Sequence, residues 1–516
     1  MISSAEQKTR HVLQRVGFFA GPLLFAGLLL FLEPPPSHPQ VPAMAAVAAL
    51  MAAWWLTEAV PLAATALLPI VLFPLLGLAD PARTTGQYFN PTITLFLGGF
   101  LIALAMERWQ LHRRIALVVV TRIGSTPSRL VLGFLLASAL LSMWISNTAT
   151  ATMMLPIGLA VVQRVEDAAG EQRAHPLSIA LMLAIAYGAS LGGVATLVGT
   201  PPNLALVAIY RDTFPGAPAI SFGQWMLVGL PYAALALAGT WVVLTRGLWR
   251  PDPAVRLDRG ALRAELAALG PMSREEKSVL GVFFAAALLW TFRQDLAVGG
   301  VTLPGWAGLW APLKNVEDGT VAIALAFALF LWPAGRGPDG ERRQLLDTSI
   351  FLKVPWDILL LFGGGFALAA GFTWSGLSAH LAGVFQGLAG MPAWMTIILV
   401  SLVITFLTEL TSNTATAQMF LPVIAAWAVA NHIHPLLVMV PTALSASMAF
   451  MLPVATPPNA IVFGSRRVHI AEMARTGLVL NLLCVVLTTL VCVWLLPHAF
   501  GFDPAEFPRW AAPAGH

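Results

Sequence analysis

The sequence predicts an all-α polytopic membrane protein, with about eleven transmembrane helices and two re-entrant hairpins arranged as inverted-topology repeats. Three observations predict it: an apolar composition, positive charge segregated among the loops, and four sequence blocks that recur in order. Of 516 residues, 58% are hydrophobic and only 10% charged, against roughly 45–50% and about 25% in a soluble domain. The bilayer is therefore this chain's solvent, as the mean hydropathy of +0.78 also requires. The longest polar stretch, Arg246 to Lys277, is too short for a domain with its own core. A soluble enzyme with a membrane anchor is excluded. Cys484 and Cys492 share one apolar run, which excludes a disulfide framework.

Long apolar runs place spans near Val16–Leu32, Ala43–Leu56, Leu62–Leu76, Thr92–Met106, Leu177–Thr196, Trp225–Leu244, Val279–Thr291, Val321–Trp332, Ile358–Thr373, Leu436–Leu452 and Leu478–Leu496. The first is read as a retained helix, because Phe25–Leu32 offers no small-residue cleavage site before Pro34-Pro35-Pro36. Leu130–Val162 and Met395–Ala430 are each too long for one helix, and a Ser-Asn-Thr cluster interrupts each. They read as hairpins that enter and leave the membrane by the same side. With the N-terminus inside, the cytoplasmic segments hold twenty-four of the 29 Lys and Arg. Only Arg83, Arg211, Arg293, Lys314 and Arg509 fall outside. A wrong parity anywhere would scramble that split, so the C-terminus is expected outside.

Self-similarity supplies the internal organisation. Ser146-Asn147-Thr148-Ala149-Thr150-Ala151 recurs 266 residues later as Ser412-Asn413-Thr414-Ala415-Thr416-Ala417. At the same offset Phe96-Leu97-Gly98-Gly99-Phe100 matches Phe362-Gly363-Gly364-Gly365-Phe366, and Leu155-Pro156 matches Leu421-Pro422. Gly199-Thr200-Pro201-Pro202-Asn203 matches Ala455-Thr456-Pro457-Pro458-Asn459 at offset 256, one connection being ten residues shorter. Five spans separate the hairpins. An odd number makes the first enter from the cytoplasm and the second from outside, the inverted arrangement of many secondary transporters.

The best-matched residues are polar and sit at membrane depth, where non-helical backbone has to be buried in protein or line a wet cavity. Each Ser-Asn-Thr cluster frees backbone groups at a hairpin tip. Each Thr-Pro-Pro-Asn does the same within a span, since proline lacks an N–H and disfavours helix before it. The result is a set of hard oxygen donors suited to Na⁺, facing half-helix N-termini suited to an anion. No Arg or Lys lies in any of the four clusters. A helix terminus contributes roughly 0.3–1 kcal/mol, up to about 2, whereas desolvating each charge costs several kcal/mol. A cation bound beside the anion closes that gap, so coupled cation and anion binding is expected.

Taken together, both Ser-Asn-Thr tips, both Thr-Pro-Pro-Asn breaks, Trp55-Leu56-Thr57-Glu58-Ala59-Val60-Pro61 and the Gly98-Gly99 run ending in Leu111-His112-Arg113-Arg114 resemble the divalent-anion/sodium symporter family. These are the sodium–dicarboxylate cotransporters and their INDY-type relatives, and the resemblance spans essentially the whole chain. It implies a homodimer of the plasma membrane (the inner membrane in a Gram-negative cell), in which a scaffold holds a transport domain that moves like an elevator. The implied scaffold is residues 1–126 and 249–392; the transport domain is 127–248 and 393–497, followed by a tail, 498–516. One sodium site would comprise Ser142, Ser146 and Asn147 with backbone from Gly199. The other would comprise Thr408 and Asn413 with backbone from Ala455. Ser142 and Thr408 are themselves 266 apart. Substrate would meet Ser146, Asn147, Thr148, Ser412, Asn413 and Thr414, in a pocket shaped by Thr200, Pro201, Thr456 and Pro457. The implied activity is Na⁺-coupled symport of small dicarboxylates such as succinate, malate or fumarate. Alternatives of the same family are sulfate or tricarboxylate symport and sodium-independent exchange.

Other polar residues carry milder expectations. Glu409 lies beside the second tip, where its repeat equivalent is Met143; it is read as a hydrogen-bonded carboxylate rather than a proton carrier. Glu58 is read as a structural acceptor, His432 and His434 as a solvated loop, and Arg108 to Arg129 as either an anionic-lipid-binding stretch or a cytoplasmic interfacial helix linking scaffold to hairpin. A channel built on the same tips is a weaker reading. An intramembrane enzyme is weaker still, because neither Ser146 nor Ser412 has a His or Lys base nearby in sequence.

Overall fold

Helices dominate the computed structural model, which describes residues 4–253, 259–298, 301–336, 342–385 and 391–512. Arg256, counted among the cytoplasmic charges, and the last four residues of the expected tail lie outside the described residues. Seven helices among the described residues are long and apolar enough to cross a membrane, and six shorter apolar helices accompany them. Two small antiparallel ribbons, Leu296–Val298 with Val301–Leu303 and Pro333–Arg336 with Arg342–Gln344, cap connections between helices.

The expected interruptions are present. Pro127–Ser142 and Asn147–Ala169 form one helix–break–helix unit, and Ala393–Thr408 and Asn413–Ala430 the other. Glu171–Gly193 unwinds before Pro201–Thr213, and Leu436–Ala446 unwinds before Pro457–Gly464. The second of these departs from the expected continuous run to Leu452, because Glu409 takes up the backbone N–H groups beyond Ala446 (below). A further break falls where one span was expected, 62–76. That segment is helical only over Leu62–Thr65 and Leu68–Leu75, and the carbonyl of Ala66 between them accepts from the Tyr88 hydroxyl. The stretch Leu111–Ile123 is the amphipathic helix expected between Arg108 and Arg129.

Glu171–Gly193 is the central element, with 94% of its apolar window buried. It packs along Pro127–Ser142 and Asn147–Ala169. Glycine permits the closest approach: a Cβ on Gly192 would lie 2.2 Å from the Ala139 carbonyl oxygen, and one on Gly188 2.5 Å from that of Leu135. Pro91–Arg108 and Trp356–Trp374, the helices carrying the matched glycine runs, meet through Phe96 and Phe362, whose rings stack at 4.4 Å. These two phenylalanines are equivalents at offset 266.

Ion pairs join segments that the charge count assigns to the same side. Arg108 meets Asp347 at 2.6 Å, Arg114 meets Glu276 at 2.7 Å, and Arg467 meets Glu166, all expected inside. Arg293 and Asp318, 2.5 Å apart, are expected outside. Glu58 ends Val41–Thr57 in a left-handed conformation, and its carbonyl accepts from Gln14. His432 is exposed as expected, but His434 is buried rather than solvated. Its ring stacks on Phe502 at 3.8 Å and stands edge-on to Trp510, which also packs on Tyr210 and Phe214. Burial pushes its pKa down to about 4, so it stays neutral near neutral pH.

Two outcomes follow from these contacts. Gly192→Val drives a side chain into the Ala139 carbonyl, and overpacking of this kind costs about 1–3 kcal/mol; a lowered melting temperature in detergent is the readout. The hydrogen bond from Arg108, aided by the Ser349 hydroxyl, holds the Asp347 carboxyl down at about 2, against about 4 in an unfolded chain. The depressed value means that the pair stabilises the fold above about pH 4 and loses that contribution as pH falls towards about 2. The melting difference between wild type and Arg108→Ala should therefore be full at neutral pH and shrink over that acid window.

Candidate functional site

The site is built where the two tips, residues 143–146 and 409–412, meet the two breaks, residues 194–200 and 447–456. Four helices begin here, at Asn147, Pro201, Asn413 and Pro457, so four sets of N-terminal N–H groups converge. The packing is crossed between repeats: Pro201–Thr213 lies on Asn413–Ala430, and Pro457–Gly464 lies on Asn147–Ala169. Thr200 Oγ1 and Ser447 Oγ, 3.3 Å apart, join one break to the other. Side chains at the starts cap two of the helices. Ser146 Oγ accepts from the N–H of Ala149, and Thr456 Oγ1 from that of Asn459.

Two oxygen clusters occupy matched positions. In the first, Ser142 Oγ donates to Asn147 Oδ1 at 2.5 Å. A Cβ on Gly193 would fall 3.0 Å from that Oδ1 and 2.9 Å from the Gly199 carbonyl oxygen. Gly193 thus leaves room for three expected oxygens, from Ser142, Asn147 and Gly199, to gather. In the second, Thr408 Oγ1 lies 2.8 Å from Asn413 Oδ1 and 3.0 Å from the Ala446 carbonyl oxygen, two acceptors for its single proton. The backbone group meeting Thr408 is thus Ala446, at the end of its helix; Ala455 lies buried in the break with its N–H on the Leu452 carbonyl. The donor set in both clusters is hard, neutral oxygen, which suits an alkali cation.

The remaining expected residues divide by exposure. Thr200, Thr414 and Thr456 are buried. Ser146, Ser412 and Pro201 are half-buried, and Thr148 and Pro457 are exposed. Thr148 and Thr414 are repeat equivalents, so the symmetry is broken here. One turn beyond Thr414, Gln418 is fully buried with neither amide atom hydrogen-bonded among the described residues. Its side chain fills the space above Gly365, where a Cβ would stand 2.2 Å from the amide carbon. The equivalent Thr152 is exposed.

The breaks are held by residues to which the sequence assigns no bracing role, although it singles out Asn203, Asn459 and Glu409. Asn203 Nδ2 donates to the carbonyls of Val194 and Thr196, at 3.3 and 2.8 Å. Asn459 Nδ2 donates to those of Ala449 and Leu452, at 3.1 and 3.0 Å. The two asparagines are equivalents at offset 256, as are Thr196 and Leu452, so one strut is used twice. Their recurrence within Thr-Pro-Pro-Asn was the available signal. Glu409 accepts from the N–H groups of Phe450, Met451 and Leu452 at 2.7, 2.9 and 3.1 Å, and from Asn481 Nδ2 at 2.8 Å. All four contacts are donors, which fits a hydrogen-bonded carboxylate rather than a carrier that must find an acceptor for its own proton. Asn481 carried no sequence signal.

A multi-span helical fold with two interrupted helices and two polar tips defines a secondary-transporter scaffold, and the comparisons agree. The family described as "Sodium:sulfate symporter transmembrane region" matches residues 21–498, and this chain belongs to it. It is 40% identical over 506 residues to a sodium-dependent dicarboxylate transporter, SdcS, of Staphylococcus saprophyticus, covering 97% of this chain and 95% of that one. It is also 40% identical over 496 residues to the SdcS of Staphylococcus aureus strain MRSA252, covering 95% and 92%. Among solved structures, MtrF of Neisseria gonorrhoeae, described as illuminating a class of antimetabolite efflux pumps, superposes with a TM-score of 0.53 at 14% identity. That match covers 84% of this chain and 86% of MtrF. The Alcanivorax borkumensis YdaH transporter gives 0.53 at 14% identity, covering 84% and 91%. At that identity the likeness is one of fold.

Leucine at Asn203 leaves the Thr196 carbonyl without its donor, and leucine at Asn459 does the same to the Ala449 carbonyl; Val194 keeps the Trp225 indole and Leu452 the Ala455 N–H. Each replacement should cost about 1–3 kcal/mol, seen as a lower melting temperature in detergent, and the two losses should be of similar size.

Proposed function

We propose that this protein is a sodium-coupled symporter of small dicarboxylates, of the succinate, malate and fumarate type. The observation that carries the proposal is the pair of neutral oxygen clusters set at the meeting of four helix N-termini. Ser142, Asn147 and Gly199 would hold one Na⁺, with Ser146 beside them. Thr408 and Asn413 would hold another, with backbone from Ala446 and from the Ala455 break. The substrate carboxylates would meet Ser146, Asn147, Thr148, Ser412, Asn413 and Thr414, with Thr200, Pro201, Thr456 and Pro457 around them. Each cation offsets the cost of taking one carboxylate out of water, which helix termini and neutral hydrogen bonds cannot do alone. Dicarboxylate is favoured over other anions because the curated relatives, matched over nearly their whole length, are named for it. Sulfate is the second reading, favoured by the family's description.

The two helix–break–helix units act as re-entrant hairpins, the first opening to the cytoplasm and the second to the outside, with the N-terminus inside and the C-terminus out. Residues 127–248 and 393–497 form a transport domain that slides as an elevator against a scaffold of 1–126 and 249–392, within a homodimer of the plasma membrane. The contact of Gln418 with Gly365 lies on that sliding surface. Its absence at the equivalent Thr152 supports two alternating dockings, of which one is occupied here.

In proteoliposomes, labelled succinate uptake should require an inward Na⁺ gradient and collapse when choline replaces Na⁺. Asn147→Ala and Asn413→Ala should each abolish uptake while the purified protein remains monodisperse. Unlabelled sulfate that competes better than succinate would select the second reading, and undiminished uptake in choline would reject symport.

A further inference from the structure

Each tip is tied to its own break, and the two ties use opposite chemistry. In the first repeat the link is Thr196, whose Oγ1 donates to the Met143 carbonyl at 2.5 Å and accepts from the Gly199 N–H at 3.1 Å. It therefore fixes the peptide before the Gly199 carbonyl relative to the residue after Ser142. In the second repeat both members are exchanged. Met143 becomes Glu409 and Thr196 becomes Leu452. The tip now supplies a side-chain carboxylate, and the break supplies the N–H groups of Phe450, Met451 and Leu452. One clasp is neutral, the other carries a negative charge one residue from Thr408. Thr196 and Glu409 are both buried, at 0% and 3% exposure, so neither tie is weakened by competing water.

We propose that Thr196 and Glu409 are the positioning residues of these two unlike clasps, and that the charged clasp makes the second cation site the tighter one for Na⁺. The inference rests on the sodium sites proposed above. The Glu409 carboxylate is one residue from Thr408 and shielded from water, though not from its four donors; at the effective dielectric of a protein interior its attraction strengthens cation binding there by about tenfold. Loss of the Thr196 hydroxyl leaves the Met143 carbonyl and the Gly199 N–H unpaired and frees the Gly199 carbonyl to turn, which weakens the first site by roughly tenfold. The sites then fill in order, the second before the first.

The test is equilibrium binding of radiolabelled Na⁺ to the purified, substrate-free full-length protein, beside uptake in proteoliposomes. Wild type should show two classes of site differing by about tenfold or more. Thr196→Val should weaken only the weaker class and lower the Hill coefficient for Na⁺ in uptake, and Thr196→Ser should restore both to within about twofold. Glu409→Gln should remove the tight class. A single class in wild type overturns the inequality of the sites. A Thr196→Val protein with wild-type binding overturns the clasp, and neither of those two readouts depends on whether Glu409→Gln folds. Failure of the underlying sodium sites is distinguishable, because Asn147→Ala and Asn413→Ala would then bind Na⁺ normally.

Discussion

Peptide groups that leave a helix inside hydrocarbon have no water to turn to, and the protein has to supply every partner itself. That constraint organises the centre of this molecule. The breaks at 194–200 and 447–456 turn backbone groups towards the site, and each is braced by an asparagine amide on its carbonyls. The first is further tied by the Thr196 hydroxyl, and the second by the Glu409 carboxylate. Without such braces the unwound segments would cost more than the oxygens they expose could return. The order of causation runs from proline placement, to lost helical hydrogen bonds, to side chains recruited to replace them, and only then to a cluster of oxygens.

Duplication supplied two copies of this solution, and the copies have diverged. The first crossing is tighter: Gly193 and Gly199 approach so closely that a Cβ on Gly199 would lie 2.4 Å from the Gly193 carbonyl oxygen. The second has alanine at both equivalents, Ala449 and Ala455. Gln418 is buried against Gly365 without a hydrogen-bond partner among the described residues, whereas Thr152 faces out. A buried, unpaired amide costs about 1–3 kcal/mol. An arrangement that leaves one in place is held by its other contacts and is easier to leave than a fully satisfied one.

Much of the architecture was legible before any coordinates. Composition gives the polytopic helical fold, because charge is costly in lipid and is confined to the loops, and the Lys/Arg bias among those loops gives the expected parity. The matched Ser-Asn-Thr and Thr-Pro-Pro-Asn blocks located four of the five interruptions described, since proline and clustered hydroxyls act locally on the backbone. Ser142 meets Asn147 and Thr408 meets Asn413, the pairings that the family resemblance implied. What stayed hidden depends on tertiary pairing. Thr196, Asn481 and Ala446 act through partners 53, 72 and 38 residues away, and no periodicity reports such distances. His434 reads as a loop histidine until the tail aromatics are seen to cover it. The break within 62–76 has its cause in Pro69, which has no N–H to offer the Thr65 carbonyl; only its partner, the Tyr88 hydroxyl on Ala66, lies outside that run.

The tail itself has a mechanical meaning. Trp510 wedges between Tyr210 and Phe214 from one repeat and His434 from the other, while Phe502 lies flat on the same imidazole. To part the two repeats here would strip an indole from an aromatic nest and wet all of its faces. The C-terminal segment therefore works as a rivet: it pins the two repeats to each other and resists any motion that pries them open like a book.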